Sequence, residues 1–172
     1  MTRSIDSLFR EYHQPLVRYL TRRLGDRDWA EEIAQETFVR ALRQTNLENE
    51  RAWLFAVATN LVRDEARKDA RRRRHLELLG AEARAAEAEE PVDELERAEE
   101  RALARKAIDA LGERDREALL MKEEGLNYEE IAMALELSVA SVGTTLSRAR
   151  RRLVEAYEAL QAGRREPKAG NQ

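Results

Sequence analysis

A chain of 172 residues with 38% charged and only 5% aromatic residues suits one medium or two small helical domains rather than a sheet-rich enzyme with a large core. The absence of cysteine excludes disulfides, a thiolate nucleophile and cysteine-ligated zinc. The net charge of −3 speaks against a nucleic-acid partner until its distribution is read: residues 1–76 carry a net +4, residues 77–106 a net −5, and residues 148–152 hold four arginines.

In chain order, the N-terminus has no apolar signal-peptide core and no later apolar run approaches membrane-spanning length, so a cytoplasmic protein without membrane insertion is expected. Leu8, Tyr12, Leu16, Leu20 and Leu24 make the stripe of a first helix, in which Pro15 predicts a kink or break. Gly25-Asp26 marks a turn, and Asp28 can cap a second helix whose apolar face is Trp29, Ile33, Thr37, Ala41 and Leu42. Ile33, Phe38 and Leu42 are assigned to the core. A polar loop over 44–50 precedes a third helix with Trp53, Leu54, Val57, Leu61 and Val62 inward, running on into the basic stretch 67–74. Together these form a three- or four-helix domain over residues 4–76. The alanine- and glutamate-rich stretch 77–101 has too few large apolar residues for a core and reads as a flexible acidic linker with frayed helical ends. A second helical domain is expected over 102–160 and a disordered tail over 161–172. The fold class is therefore all-α.

The second domain carries the most specific pattern. Asn127 with Glu130 three residues on reads as a capping box, and Tyr128, Ile131, Ala132 and Leu135 give the helix behind it one apolar face. Ser138 can cap a further helix with Val139, Val142, Leu146, Ala149 and Leu153 as its buried stripe. Its opposite face bears Ser141, Gly143, Thr144, Ser147, Arg148, Arg150 and Arg151. A helix-turn-helix of this kind can offer small polar side chains to base edges and arginines to phosphates, although a helical hairpin with a solvated charged face has the same periodicity.

In the first domain, the second helix presents Glu31, Glu32, Gln35 and Glu36, with Arg40 one turn on, a face suited to arginines of a partner helix or to solvent. In the third helix Asn60, Asp64, Arg67 and Arg71 share a face that Arg63, Lys68, Arg72 and Arg74 widen into a basic strip, where an Asp64–Lys68 pair is the structural alternative.

Three segments in this order, 29–42, 53–67 and 111–153, resemble the extracytoplasmic-function (ECF, group IV) sigma factors of bacterial RNA polymerase. The resemblance implies that Glu31, Glu32, Gln35, Glu36 and Arg40 bind the β′ coiled coil of core polymerase. It implies that Asn60, Arg63, Asp64, Arg67, Lys68 and Arg71 melt and hold the promoter minus-ten element, with loop 44–50 beside a flipped base and Asn60 at that pocket's wall. It implies that Ser141, Gly143, Thr144, Ser147, Arg148, Arg150 and Arg151 read the minus-thirty-five element. The partners implied are core polymerase (β′ coiled coil and β flap), promoter DNA and an anti-sigma factor, with no cofactor and no small-molecule substrate. The sequence departs from the family where Gly143 and Thr145 replace basic residues early in the recognition helix, where Gly112 replaces a proline, and where Ala56 and Thr59 stand at places often filled by arginine. The acidic linker is either a mimic of nucleic acid in the polymerase channel or a solubilising tether.

A stand-alone helix-turn-helix transcriptional regulator is the competing reading, and it leaves the segments 29–42 and 53–67 unexplained. An enzyme is disfavoured. His13 and His75 lie far apart without a partnered nucleophile, and there is no phosphate loop or metal-ligand spacing, so no catalytic, cofactor or metal residue is predicted.

Overall fold

The computed structural model describes residues 3–77 and 92–165, and these form seven α-helices with no strand among the described residues. Helix α1 (Ile5–Leu24) starts where Ser4 accepts a hydrogen bond from the Ser7 N–H and ends at Gly25, whose φ of 74° lets its N–H reach the Thr21 carbonyl. Pro15 does not break it: Leu8 before it and Leu16, Val17 and Leu20 after it are all buried on one stripe, and that burial holds the helix across the missing N–H. Helix α2 (Arg27–Ala41) is capped by Asp26, which accepts from the Trp29 N–H, two residues earlier than the expected Asp28. Helix α3 (Glu50–Glu77) begins under the Asn49 side chain, which accepts from Ala52 N–H.

Helix α4 (Val92–Asp109) extends well into the stretch predicted to be a flexible linker. It packs along α7 with Leu103 and Ala107 buried, so tertiary contact orders residues that lack a core of their own. Residues 78–91 of the expected linker lie outside the described residues. Helix α5 (Glu113–Glu123) follows Gly112, and helix α6 (Tyr128–Leu135) opens with the predicted capping box: Asn127 accepts from Glu130 N–H at 2.8 Å and Glu130 from Asn127 N–H at 3.1 Å. Glu136, at φ 55°, ends α6 in the left-handed region. Helix α7 (Val139–Arg165) runs through residues 161–165 of the expected tail, and 166–172 lie outside the described residues.

The N-terminal half packs α1 on α2 and α2 on α3, and the C-terminal half packs α4, α5 and α6 on α7. The halves also pack on each other, α3 against α6 and α1 against α5. One apolar cluster runs from Leu16, Leu20, Ile33 and Phe55 through Leu120, Met121 and Ile131 to Leu146. At the heart of the N-terminal half Tyr19 and Thr59 share a buried hydroxyl hydrogen bond of 2.7 Å. Thr59 therefore fills an interior position that no arginine could occupy without leaving its charge buried.

Candidate nucleic-acid and polymerase interfaces

The recognition helix begins at α7, where Ser138 accepts from Ser141 N–H at 3.2 Å and the two hydroxyls lie 2.6 Å apart. Val142, Leu146 and Ala149 are fully buried, which fixes the rotation of the helix and turns Ser141, Thr144, Ser147, Arg150 and Arg151 outward. Thr145 is 4% exposed and belongs to the packed face, so its place offers no contact to a groove. Gly143 is half-buried, and a Cβ built there would meet Tyr128 Cε2 at 3.5 Å, ordinary contact that leaves room for a side chain. Arg148 is already engaged. Its Nη2 donates to Asp115 Oδ1 at 2.6 Å, and Arg152 Nη1 donates to Asp115 Oδ2 at 2.9 Å, tying α7 to the start of α5. Hydrogen bonding from Arg148 holds the Asp115 carboxyl below the usual aspartate range despite its burial. The arginine cluster is thus divided between structure (Arg148, Arg152) and surface (Arg150, Arg151).

On α3 the predicted strip divides in the same way. Asn60, Asp64 and Lys68 are exposed, and no Asp64–Lys68 ion pair forms among the described residues. Arg63 turns toward the C-terminal half, donating to Glu117 at 2.5 Å, with Glu113 3.7 Å away. The backbone of Arg67 and Arg71 lies in α3, and their side chains lie outside the described residues. Glu65 anchors the strip to α2 by accepting from Trp29 Nε1 at 2.7 Å. Loop 44–49 lies over a cavity of about 270 Å³ lined by Ile5, Leu8, Ala41, Gln44, Asn46 and Leu47. Asn60 is not in its wall, because ten residues of helix carry it about 15 Å along the axis from Glu50.

Helix α2 buries Ala30, Ile33, Ala34, Thr37, Phe38 and Ala41, leaving Glu31, Glu32, Gln35, Glu36 and Arg40 outward together. Three of these are paired within the helix, Glu31 with Arg27 at 3.2 Å and Glu36 with Arg40 at 3.1 Å, while no ion pair at Glu32 forms among the described residues. Leu42, expected in the core, is 62% exposed one position past the last residue of α2. With Val39 at 44% and Phe9 at 43% it adds apolar surface to the acidic face. Phe9 stacks on His13 with ring centroids 4.3 Å apart and meets the edge of Phe38 at 5.0 Å. Sequence reasoning missed these exposed apolar residues. Val39, one turn after Gln35 and off the stripe of Ile33 and Thr37, was the available signal.

Among the described residues no group of His, Cys, Asp and Glu side chains is arranged to hold a metal, and no helix is long and apolar enough to cross a membrane. Residues 8–72 match the model of Sigma-70 region 2, and residues 101–153 match that of Sigma-70, region 4. The chain is 31% identical over 153 residues to the RNA polymerase sigma factor YlaC of Bacillus subtilis, spanning 86% of this chain and 88% of that relative. It is 32% identical over 152 residues to the ferric citrate uptake sigma factor FecI of Escherichia coli, spanning 85% and 86%. Its fold is similar to that of the sigma factor RpoE solved in complex with the anti-sigma factor NepR from Bartonella quintana, with a TM-score of 0.64 at 23% identity over 88% of this chain and 97% of that one. CnrH, solved in complex with the cytosolic domain of CnrY, matches with the same TM-score and identity over 90% and 88%. A carboxylate helix, a polar and basic helix and a helix-turn-helix follow one another in the order of the two matched regions, and the chain belongs to the sigma-70 family as an ECF sigma factor, a promoter-recognising partner of core RNA polymerase.

Proposed function

We propose specific residues for each step of promoter recognition. Glu31, Glu32, Gln35, Glu36 and Arg40, with Val39 and Leu42 beside them, dock on the β′ coiled coil of core polymerase, and the C-terminal half meets the β flap. Asn60, Asp64 and Lys68, joined by Arg63, Arg67 and Arg71, hold the melted minus-ten strand, with Asn60 reading a base edge and the arginines gripping phosphate. The cavity under loop 44–49 takes a flipped base. Ser141, Thr144 and Ser147 enter the major groove at the minus-thirty-five element beside Gly143, while Arg150 and Arg151 bind flanking phosphates and Arg148 reaches them only by sharing its fork with Asp115. The functional units are residues 4–76 and 102–160, and α4 adds residues 92–101 to the second. The protein acts in the cytoplasm and performs no chemistry of its own. An anti-sigma factor is the further partner proposed, as in the complex of the relative solved with NepR.

The observation that carries this reading is the outward row Ser141, Thr144, Ser147 on a helix whose opposite face, Val142 and Leu146, has no exposure at all. It is tested by run-off transcription with core polymerase from a template library randomised across the two promoter elements. Wild-type protein should select both elements, and Asn60→Ala should relax preference at one minus-ten base while core binding stays intact. Transcription that is independent of the chain, with DNA binding unaffected by core polymerase, would favour a stand-alone regulator instead.

A further inference from the structure

One carboxylate stands behind two arginines of the recognition helix. Asp115, in the first turn of α5, is 3% exposed. Arg148 donates to it through Nη2 at 2.6 Å and through Nε at 3.2 Å to each oxygen, and Arg152 donates through Nη1 at 2.9 Å. These bonds do not use Nη1 of Arg148, nor Nε and Nη2 of Arg152, and the two side chains remain 36% and 52% exposed. The arrangement is layered, with the negative charge inside and two partly exposed guanidinium groups over it. Arg151 is held more loosely, by Glu155 at 4.0 Å along the same helix, with both side chains exposed.

The register of α7 puts the held pair where a groove ends. Arg148 and Arg152 follow Ser141 at i+7 and i+11, within about 20° of it around the helix, and Arg152 lies about 16 Å further along the axis. A major groove is about 12 Å wide. A helix with Ser141 at the base edges therefore carries Arg148 and Arg152 out to the sugar–phosphate wall. An arginine that binds phosphate from an unheld state loses rotamer freedom in doing so, whereas one already held by a carboxylate lost it on folding. Against this, Asp115 cancels part of the positive charge that the pair would offer a phosphate. Preorganisation and charge thus act with opposite signs, and the sign of the net effect can be measured.

We propose that Asp115 is a positioning residue for minus-thirty-five binding, holding Arg148 and Arg152 as a two-pronged clamp on the DNA backbone, and that Arg152 is thereby a phosphate contact in its own right. The proposal rests on the reading of α7 as the helix that enters the groove. It makes the tie between α5 and α7 a part of DNA binding as well as of the fold.

The test uses the full chain bound to core polymerase and a labelled duplex carrying the library-selected minus-thirty-five element, with affinity read against salt concentration. Arg152→Ala, at an exposed position, should weaken binding about tenfold and make the salt slope shallower by about one unit. The loss should be the same on a duplex with that element scrambled, as for a phosphate contact. Arg152→Lys should recover little of it, because lysine keeps the charge and lacks the fork. Asp115→Asn should also weaken binding about tenfold, although it removes a negative charge from beside the DNA. With Arg148→Ala and Arg152→Ala already in place, Asp115→Asn should change affinity by less than about threefold, since the groups it acts through are gone. Tighter binding and a steeper salt slope in Asp115→Asn would show that the carboxylate competes with phosphate and would overturn the positioning role. Wild-type affinity and slope in Arg152→Ala would overturn the clamp, and that arm does not need the Asp115 variant to fold. If Thr144→Ala with Ser147→Ala also left preference for the selected element unchanged, the reading of α7 itself would fall, an outcome distinct from failure of the clamp alone.

Discussion

The outward faces of α2 and α3 are both rich in charge, yet they sit in opposite situations. The α2 face makes only short-range pairs along its own helix, Arg27 with Glu31 and Glu36 with Arg40. Helix α3 reaches across to the other half, where Arg51 near its start and Arg63 from the strip grip Glu130 and Glu117. Charge exposed on one helix contributes little to stability and remains available to a partner, whereas charge spent on a seam contributes to the fold and must be withdrawn before it can serve elsewhere. In this conformation the α2 face pairs only within its own helix, while part of α3 is engaged by the other half.

Substitutions on the two faces should separate these roles. The largest expected effect is at the seam: Glu117→Ala removes the carboxylate shared by Arg23 and Arg63 and leaves both guanidinium groups half-buried, so stability to urea should fall by about 3 kcal/mol. A loss under about 1 kcal/mol would show that the seam is already solvated. On α2, Glu32→Lys with Glu36→Lys should change urea stability by no more than about 0.5 kcal/mol. The same double variant should weaken core-polymerase binding by about 2 kcal/mol, read by titration with labelled protein. Unchanged affinity would remove this face from the interface and collapse the contrast. At the third level, Asp115 and Glu130 titrate below the usual carboxylate range, Asp115 through hydrogen bonding from Arg148 and Glu130 through hydrogen bonding from Arg51. A lowered folded pKa gives stability that is complete above the unfolded value of ~4 and is lost as pH falls through the folded one. Thermal stability should therefore drop as pH falls below about 4, and Asp115→Asn should flatten that drop while lowering stability at pH 7.

The smallest effect concerns Gly143. A Cβ there meets only the Tyr128 ring at ordinary contact distance, so Gly143→Lys should raise stability by nearly 1 kcal/mol through helix propensity. It should also steepen the salt dependence of duplex binding by about one unit if this face lies on phosphate. A stabilised protein with an unchanged salt slope would take the α7 face out of the DNA contact.

What the sequence made legible was whatever short-range physics decides. The capping box of Asn127 and Glu130, the Ser138 cap, and Val142, Leu146 and Ala149 of the expected buried stripe were readable from spacing alone, as was the helical character of α1 to α3, whereas Val139 of the same stripe is 49% exposed and Leu153 only partly buried. Errors arose where a distant partner decides. Thr59 is interior because Tyr19, forty residues away, offers it a hydroxyl, and Thr145 lies on the packed side of α7 although its neighbour Thr144 faces out. Leu42 has the periodicity of a core residue and lies one position past the helix end. Asn60 shares a helix with Glu50 but not a cavity. The pairings of Arg18 with Glu124 and Arg63 with Glu117 span 106 and 54 residues, a separation over which no periodicity carries information. Residues 92–101 run on as helix from the part of α4, around Leu103 and Ala107, that packs on α7.

The Glu130 carboxylate serves both the cap of α6 and the tie between the halves. Its Oε1 accepts from Asn127 N–H as well as from Arg51 Nη2, while Oε2 accepts from Arg51 Nε alone. Withdrawing Arg51 therefore leaves the cap of α6 in place. The two duties make different chemical demands: a glutamine could keep the cap through its carbonyl oxygen but would offer Arg51 a neutral dipole where it now meets a charge. Glu130→Gln should thus weaken the tie between α3 and α6 while keeping the cap of α6.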